Sequence, residues 1–357
     1  MKKEVGSIFP LSFQSIKEAS LSDVCVDSEV ILYSLCREAL YDIALSLGNS
    51  NPKVLIPAYT CQTVLTAFEE AGWSCSLFNI KKDLRIDTND LTIKAVSQSP
   101  SLLVVHPYYG MDLNKEEIDA IYAVKQQGVK IIVDLTQCLF SDQELDFVDY
   151  YVGSYRKWYA IPDGGFLKNR SGIGILQPQE EYEEFVSREL DAMYLRGLYF
   201  QNEEQRTKDI SIKLSKSADH TAETNISPHR MSRYSCYLKS HYNLQDIQQK
   251  RTTNFTFLFQ RIVKNKHVQP ICEDIHSLTT APLYYTIYVS DRAKLQKLLA
   301  LESIYAPVIW PVEDAKVLIN DNIKYIYDHL LAIPCDQRYD TNDMQRIVNI
   351  VNDYSNQ

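Results

Sequence analysis

Short apolar runs alternate with helical patterns through the first half of the chain, and this alternation constrains its fold more than any other feature. The clearest strand candidates are Val54–Ile56, Leu102–Val105 and Lys130–Val133. Between the last two, Asn114 can cap a helix, and Glu117, three residues later, can complete a capping box. A strand, a helix and a strand in this order form a crossover between parallel strands. The pattern therefore predicts an α/β fold with a mostly parallel sheet flanked by helices.

The last third of the chain has a different pattern. Strand candidates at 283–289 and 305–310 lie between helical segments, which predicts a smaller α+β lobe, and the polar stretch 215–225 before them predicts a loop. With 357 residues, 45% of them apolar, the chain can build a large core and a second, smaller one. We predict a large domain over residues 1–245 and a small C-terminal domain over 246–357.

The composition argues against several classes of protein. Eight cysteines and seven histidines are dispersed without a C-x-x-C pair or an H-E-x-x-H motif, so neither a metal site nor a dense disulfide framework is expected. The formal net charge of −9 disfavours a nucleic-acid partner. No apolar run reaches the roughly 20 residues of a membrane-spanning helix, and the N-terminal sequence has no signal-type apolar core. We therefore expect a cytoplasmic protein with a small-molecule partner.

Polar side chains follow each of the three predicted strands. In open sheets of this class, ligands bind beyond the carboxyl ends of parallel strands. A single polar strand end carries little information, because chains commonly turn polar where they leave the core. Here three strands deliver hydrogen-bonding groups to one edge of the sheet. The residues concerned are Tyr59, Thr60, His106, Tyr108, Asp134 and Gln137.

Lys157 lies in a segment with the features of a cofactor attachment site. It follows Ser154 by three residues and precedes the pair Gly164-Gly165. Pyridoxal phosphate (PLP) needs an amine that carries it as a Schiff base, hydroxyl and backbone donors for its phosphate, and a close backbone approach that glycine permits. Asp134, 23 residues upstream, can face the pyridine nitrogen and keep it protonated. The segment therefore indicates a PLP-dependent enzyme with Lys157 and Asp134 as catalytic residues.

Each of these residues also has an ordinary structural interpretation. An arbitrary lysine is usually a surface residue. Asp134 could cap a helix that follows a strand. Gln137, about one turn further on, could hydrogen-bond the oxygen of the PLP ring or could be a solvated helix residue. The context of Lys157, rather than the lysine alone, favours the cofactor.

Several motifs in this order resemble the DegT/DnrJ/StrS-type sugar aminotransferases, which are fold-type-I PLP enzymes. The resemblance covers residues 30 to 250 well and the C-terminal lobe loosely. The motifs that carry it are Cys36–Leu40, Val54–Thr60, His106–Gly110, Asp134–Gln137, Ser154–Lys157 with Gly164-Gly165, and Arg230–Ser232.

The resemblance implies a role for each of three residues. Asp134 would pair with the pyridine nitrogen, Gln137 would contact the ring oxygen and Lys157 would carry PLP. The implied reaction moves an amino group from glutamate or glutamine to a keto group on a nucleotide-linked sugar, in polysaccharide or glycoconjugate biosynthesis. The implied assembly is a homodimer with shared active sites.

This sequence departs from the family pattern around the phosphate. The lysine follows the serine at Ser154-x-x-Lys157, two residues closer than is common in the family, so Ser154 remains a candidate phosphate ligand. In place of a Gly-Thr or Ser-Gly turn the chain has Ser34-Leu35-Cys36-Arg37. We expect Ser34 to cap a helix whose first turn, with Cys36 and Arg37, binds the phosphate.

Two further departures concern the ring and the neighbouring subunit. The family often has an aromatic residue that stacks on the PLP ring just after the position of Thr60, and this chain has Cys61 there. We therefore expect Tyr59 or Tyr108 to stack on the ring. The family motif that reaches toward the neighbouring subunit's cofactor reads Pro228-His229-Arg230-Met231 in this chain.

Three arginines are candidates for binding a substrate carboxylate or diphosphate, because guanidinium groups bind both in a bidentate way. They are Arg156, Arg230 and Arg338, and Trp158 could pack beside them.

Three other functions are consistent with parts of the pattern. A PLP-dependent sugar dehydratase of the same family would have histidine in place of Lys157, so the lysine argues against it. A PLP enzyme acting on an amino acid would explain the altered phosphate segment. A non-catalytic protein with the same fold could bind a ligand without turning it over.

Overall fold

The computed structural model of the protein describes residues 3–11, 30–48, 52–224 and 226–355. Its large sheet has seven strands in the order β1-β7-β6-β5-β4-β2-β3, and the pairs among β2, β3, β4, β5 and β6 are all parallel. Only β7 pairs in the antiparallel sense, with β1 and β6. The predicted mostly parallel α/β sheet is therefore confirmed. The strands are β1 (Val30–Tyr33), β2 (Lys53–Pro57), β3 (Ser74–Phe78), β4 (Leu102–Val105), β5 (Lys130–Asp134), β6 (Tyr150–Ser154) and β7 (Gly165–Asn169).

Helices cover the large sheet and connect its strands. The predicted capping box of α4 is present: Asn114 accepts a hydrogen bond from the Glu117 N–H, and the Glu117 carboxylate accepts one from the Asn114 N–H. The central strands β4 and β5 are almost wholly buried, as expected for parallel strands covered on both faces. The helices of this part are α1 (Cys36–Leu47), α2 (Gln62–Glu70), α3 (Thr88–Gln98), α4 (Lys115–Lys125), α5 (Glu183–Asn202), α6 (Gln205–Thr224) and α7 (Arg233–Ser240).

A second, smaller core lies in the C-terminal part. Three antiparallel strands in the order β10-β9-β8 pack with helices, which confirms the predicted α+β lobe. Val5, from the N-terminal segment, also belongs to this core and pairs with Ile304. The division of the chain into domains at residue 245 stays a prediction. The elements are α8 (Leu244–Arg261), β8 (Val268–Pro270), β9 (Tyr284–Val289), α9 (Arg292–Leu301), α10 (Asp321–His329), β10 (Leu330–Pro334) and α11 (Thr341–Ser355).

Two predicted elements are wrong. The polar stretch 215–225 is the C-terminal half of α6 up to Thr224, because small residues such as Ala218 and Ala222 let its polar helix pack closely against α5. The segment 305–310 is not a sheet strand, and its last two residues form a bend. Pro307, which has no N–H, interrupts any ladder there, and the segment instead hydrogen-bonds through Tyr305 N to Val5 O.

No helix within the described ranges combines the length and the apolar character needed to cross a bilayer.

Candidate active site

The carboxyl ends of β4, β5 and β6 open onto a small cavity of about 140 Å³, here called the inner cavity. The start of α1 and the start of α2 contribute the other side of its wall. The structure thus brings together, around one space, eight of the residues predicted to act at the site. They are Cys36, Arg37, His106, Asp134, Gln137, Ser154, Arg156 and Lys157.

A hydrogen-bonded chain holds the buried carboxylate of Asp134. Its Oδ1 accepts from the Thr136 N–H at 2.9 Å, so Asp134 also caps the short turn that follows β5. Its Oδ2 lies 3.4 Å from Nδ1 of His106, whose Nε2 is 2.8 Å from the Thr60 hydroxyl. Burial lowers the pKa of His106 below its usual value against the opposing effect of Asp134. His106 is therefore neutral at pH 7, and the tautomer with the proton on Nδ1 satisfies both contacts.

Lys157 occupies a tight turn directly after β6. The turn is closed by hydrogen bonds from Tyr155 N to Gly164 O and from Trp158 N to Tyr155 O. The Lys157 side chain lines the inner cavity and also a larger one of about 420 Å³, here called the outer cavity. Within the described part of the chain, the Lys157 amine has no hydrogen bond or ion pair. It is therefore an available amine between two cavities.

Gly165 allows β7 to pass close to the first turn of α1. A Cβ at this position would lie 2.6 Å from the Cys36 nitrogen and 2.6 Å from the Leu35 carbonyl carbon. Gly165 therefore serves a close approach between two backbone segments of the protein, whereas the predicted approach of the glycine pair to a cofactor stays a prediction. The approach brings the N-terminal end of α1, with its free N–H groups, to the cavity that Ser154 also lines.

Leu35, and not Ser34, is the N-cap of α1, so the predicted Ser34 cap is wrong. The backbone of Ser34 is already used: its N–H donates to His229 O and its carbonyl accepts from Gly164 N. The Leu35 N–H donates to the carboxylate of Glu38. The helix consequently begins one residue later, with Cys36 and Arg37 in its first turn.

Two buried polar groups in the wall of the inner cavity lack good hydrogen bonds among the described residues. Gln137 is 3% exposed, and neither atom of its amide has a partner of good geometry, although the Tyr109 hydroxyl is nearby. Trp310 is 8% exposed, and its Nε1 has no partner either. Nothing in the sequence around Trp310 indicates a site, and its place in the cavity wall was not predicted.

Tyr59 and Tyr108 lie behind the cavity wall. Their hydroxyls are committed to protein partners, Tyr59 to the Tyr109 hydroxyl at 3.1 Å and Tyr108 to the Tyr59 carbonyl at 2.5 Å. Trp310 packs on this pair, with its ring centroid 4.8 Å from that of Tyr59. The structure therefore does not bring either tyrosine, or Thr60, to the inner cavity.

The outer cavity receives two of the predicted substrate-binding residues, Arg156 and Arg338. Both already have carboxylate partners. Arg156 Nη2 is 3.3 Å from Asp219 of α6, and Arg338 binds Asp336 through Nε and Nη2, each at 2.8 Å. The remaining Arg338 donor holds the N-terminal segment through the Ser7 carbonyl at 2.9 Å.

The other two predicted substrate-binding residues line neither cavity. Arg230 pairs with Glu181 at 2.8 Å. Trp158 is fully buried, and its Nε1 donates to the Thr136 carbonyl at 2.9 Å. Trp158 therefore supports the turn that carries Lys157 from behind.

Comparisons with known proteins identify solved structures that share this fold. No family model and no curated protein matches the sequence. Among solved structures, Helicobacter pylori PseC, an aminotransferase involved in the biosynthesis of pseudoaminic acid, matches with a TM-score of 0.69 at 13% identity over 99% of this chain and 100% of that chain.

Two further solved structures match over most of their length. The sugar aminotransferase CalS13 from Micromonospora echinospora matches with a TM-score of 0.64 at 14% identity, over 91% of this chain and 87% of that chain. A DegT DnrJ EryC1 StrS aminotransferase from Brucella abortus matches with a TM-score of 0.63 at 14% identity, over 92% and 86%. The chain therefore has the fold of the DegT/DnrJ/EryC1/StrS-type aminotransferases.

Proposed function

We propose that this chain is a PLP-dependent aminotransferase that moves an amino group from glutamate or glutamine to a keto group on a nucleotide-linked sugar. One observation carries the proposal. The Lys157 amine, which has no partner among the described residues, shares a cavity with the buried Asp134 and Gln137 at the carboxyl ends of parallel strands. A fold shared with sugar aminotransferases supports it.

The residues around the inner cavity fit PLP. Unsatisfied buried polar groups are costly, so the Gln137 amide indicates that a polar ligand completes this wall. The first turn of α1 presents backbone N–H groups next to Arg37, and Ser154 and Arg156 line the same space. A helix N-terminus with two guanidinium groups and a hydroxyl is suited to a phosphate. Lys157 is the amine for covalent attachment.

Each polar residue has a definite task in this arrangement. PLP supplies an aldehyde that can take an amino group and a ring that withdraws electrons from the substrate carbon. The Asp134 carboxylate would hold a proton on the ring nitrogen, and the neutral His106 keeps that carboxylate in place without cancelling its charge. The Lys157 amine, when it is not bonded to the cofactor, would take a proton from the substrate carbon and deliver it to the cofactor's aldehyde carbon.

The outer cavity is the proposed substrate site. It lies on the other side of Lys157, and its volume of about 420 Å³ is within the usual range for small-molecule pockets. Its lining has more cationic than anionic side chains, which suits the diphosphate of a nucleotide sugar or the carboxylate of an amino donor. The cations are Arg156, Lys157, Arg251 and Arg338, and the carboxylates are Glu189 and Asp336. We further propose a cytoplasmic homodimer with shared active sites, acting in polysaccharide or glycoconjugate biosynthesis.

The two half-reactions test this function separately. The purified chain is loaded with PLP and mixed with glutamate or glutamine, and the cofactor spectrum and the keto acid product are followed. We expect conversion to the pyridoxamine form, and reversal of the spectrum by a keto nucleotide sugar from a panel. If only keto acids, and no keto sugar, restore the PLP spectrum, the amino acceptor is a keto acid and the product is an amino acid. No conversion by any amino donor would contradict transamination and favour a non-catalytic role.

A further inference from the structure

Trp310 enters the inner cavity from the C-terminal part of the chain, between α9 and α10. Three aromatic side chains pack around its ring. Its ring centroid lies 4.8 Å from that of Tyr59, 6.1 Å from that of His106 and 6.3 Å from that of Tyr108. The indole is therefore a fixed part of the cavity wall and not a loosely attached surface residue.

The indole N–H of Trp310 differs from those of the other two tryptophans. Trp73 donates to the Ala44 carbonyl at 3.1 Å, and Trp158 donates to the Thr136 carbonyl at 2.9 Å. Trp310 Nε1 is buried and has no acceptor among the described residues. Buried indole N–H groups usually find a partner. A ligand with an acceptor atom would supply the missing one.

The groups around Trp310 do not accept a hydrogen bond from its N–H in this structure. The Tyr108 hydroxyl, behind the wall, donates to the Tyr59 carbonyl, and both ring nitrogens of His106 have partners. The amide oxygen of Gln137, in the same wall, is unused among the described residues, but it makes no hydrogen bond with Trp310 Nε1. Two buried groups with unused hydrogen-bonding capacity therefore line one small space.

The cavity that Trp310 lines indicates whether it contacts the cofactor or the substrate. It lines the inner cavity only, whereas Lys157 and Arg156 line both cavities. Its partner is consequently the cofactor rather than the substrate. Of the polar groups on PLP, the phosphate suits Arg37 at the start of α1 and Arg156 after β6, and the aldehyde is the point of attachment to Lys157. The ring nitrogen, protonated opposite Asp134, has no lone pair to offer. The ring oxygen remains.

We propose that the Trp310 indole N–H donates a hydrogen bond to the ring oxygen of bound PLP, beside Gln137. The inference rests on the proposed cofactor. It makes Trp310 a positioning residue for the ring, contributed by a segment more than 170 residues after Asp134 in the sequence. It also explains why a tryptophan, with a donor and no acceptor, occupies this place.

Trp310→Phe keeps an aromatic ring and removes the donor. Dissociation constants of the full-length chain are measured by absorbance titration for PLP and for the PLP analogue that lacks the ring hydroxyl. We expect the variant to bind PLP about fivefold more weakly than the wild type and to bind the analogue about as well as the wild type does. Trp73→Phe, which removes a buried indole away from both cavities, is the control, and thermal melting verifies that both variants fold.

The comparison of the two ligands separates the possible outcomes. Equal weakening for PLP and for the analogue would show that Trp310 only packs, and an unchanged PLP affinity would show that the N–H contributes nothing. Either result would overturn the proposal and leave the proposed function standing. If the wild type binds neither ligand, the proposed function and this inference both fail.

Discussion

Nδ1 of His106 lies 3.4 Å from Oδ2 of Asp134, and both side chains are almost fully buried at the ends of adjacent parallel strands. Burial lowers the pKa of the imidazole, so the contact joins a neutral ring to a carboxylate. The Asp134 carboxylate is therefore held by two donors, the His106 ring and the Thr136 N–H. A fixed buried carboxylate and a lysine amine without a partner in the described part of the chain line one cavity, and the proposed chemistry derives from this pair.

Asp134→Asn should retain the local structure and slow amino transfer. The asparagine oxygen can still accept from Thr136 N, so the turn after β5 should persist. Without the negative charge, the ring nitrogen is no longer held in its protonated form. We expect amino transfer to slow by about 100-fold or more while PLP still binds. Single-turnover kinetics with glutamate measures this, and an unchanged rate would remove Asp134 from the mechanism.

The titration of His106 predicts the pH dependence of stability. Its pKa in the folded chain lies below the usual 6.5, so the unfolded chain binds a proton more readily as the pH falls through 6.5. The free energy of unfolding should therefore decrease below about pH 6.5. His106→Gln removes this contribution and should flatten the curve between about pH 7 and pH 5. Urea denaturation at several pH values measures it, with the exposed His276→Gln as control. Equal slopes for wild type and His106→Gln would contradict a buried neutral imidazole.

Gly165→Ala should damage the phosphate end of the site. The new Cβ would lie 2.6 Å from backbone atoms of Leu35 and Cys36, which cannot move without shifting the start of α1. We expect a loss of about 1–3 kcal/mol in the free energy of unfolding and weaker PLP binding. Gly174→Ala is the matched control, because a Cβ there meets nothing within 4 Å. Equal stability of the two variants would show that the close approach is not needed.

Arg37→Gln tests whether the positive charge at the start of α1 binds the phosphate of PLP. Burial and the neighbouring charge of Arg156 lower the pKa of the Arg37 guanidinium, which an anion between the two arginines would offset. We expect PLP affinity to fall by about tenfold, in line with a charge-assisted hydrogen bond. Affinity for pyridoxal, which has no phosphate, is the internal control and should not change. A parallel loss for both ligands would place the phosphate elsewhere.

The sequence predicts the part of the site that local pattern controls. Asp134 ends β5, His106 follows β4, and Lys157 lies three residues after β6. Because parallel strands bring their carboxyl ends to one edge of a sheet, the strand pattern places these residues at the same edge. The predicted start of α1 is wrong by one residue. Serine is a common N-cap, but the backbone N–H and carbonyl of Ser34 hydrogen-bond to His229 and Gly164, and Leu35 is the N-cap.

Contacts between distant segments could not be predicted. Trp310 reaches the inner cavity through the packing of the C-terminal part on the large sheet, and no local motif marks it. Tyr59 and Tyr108 have the strand-end positions of ring-stacking residues, yet their hydrogen bonds to Tyr109 and to the Tyr59 carbonyl hold them behind the cavity wall. The polar sequence of α6 does not indicate its C-terminal half, because contacts with distant segments stabilise it, above all packing on α5.

Covalent capture of the cofactor is the most direct test of the role of Lys157. The PLP-loaded chain is reduced with borohydride and digested, and the peptides are mapped by mass spectrometry, with Lys157→Ala and the exposed Lys115→Ala treated in the same way. We predict a phosphopyridoxyl group on Lys157 in the wild type and in Lys115→Ala, and none in Lys157→Ala. A label on another lysine, or no label in the wild type, would contradict the assignment of Lys157.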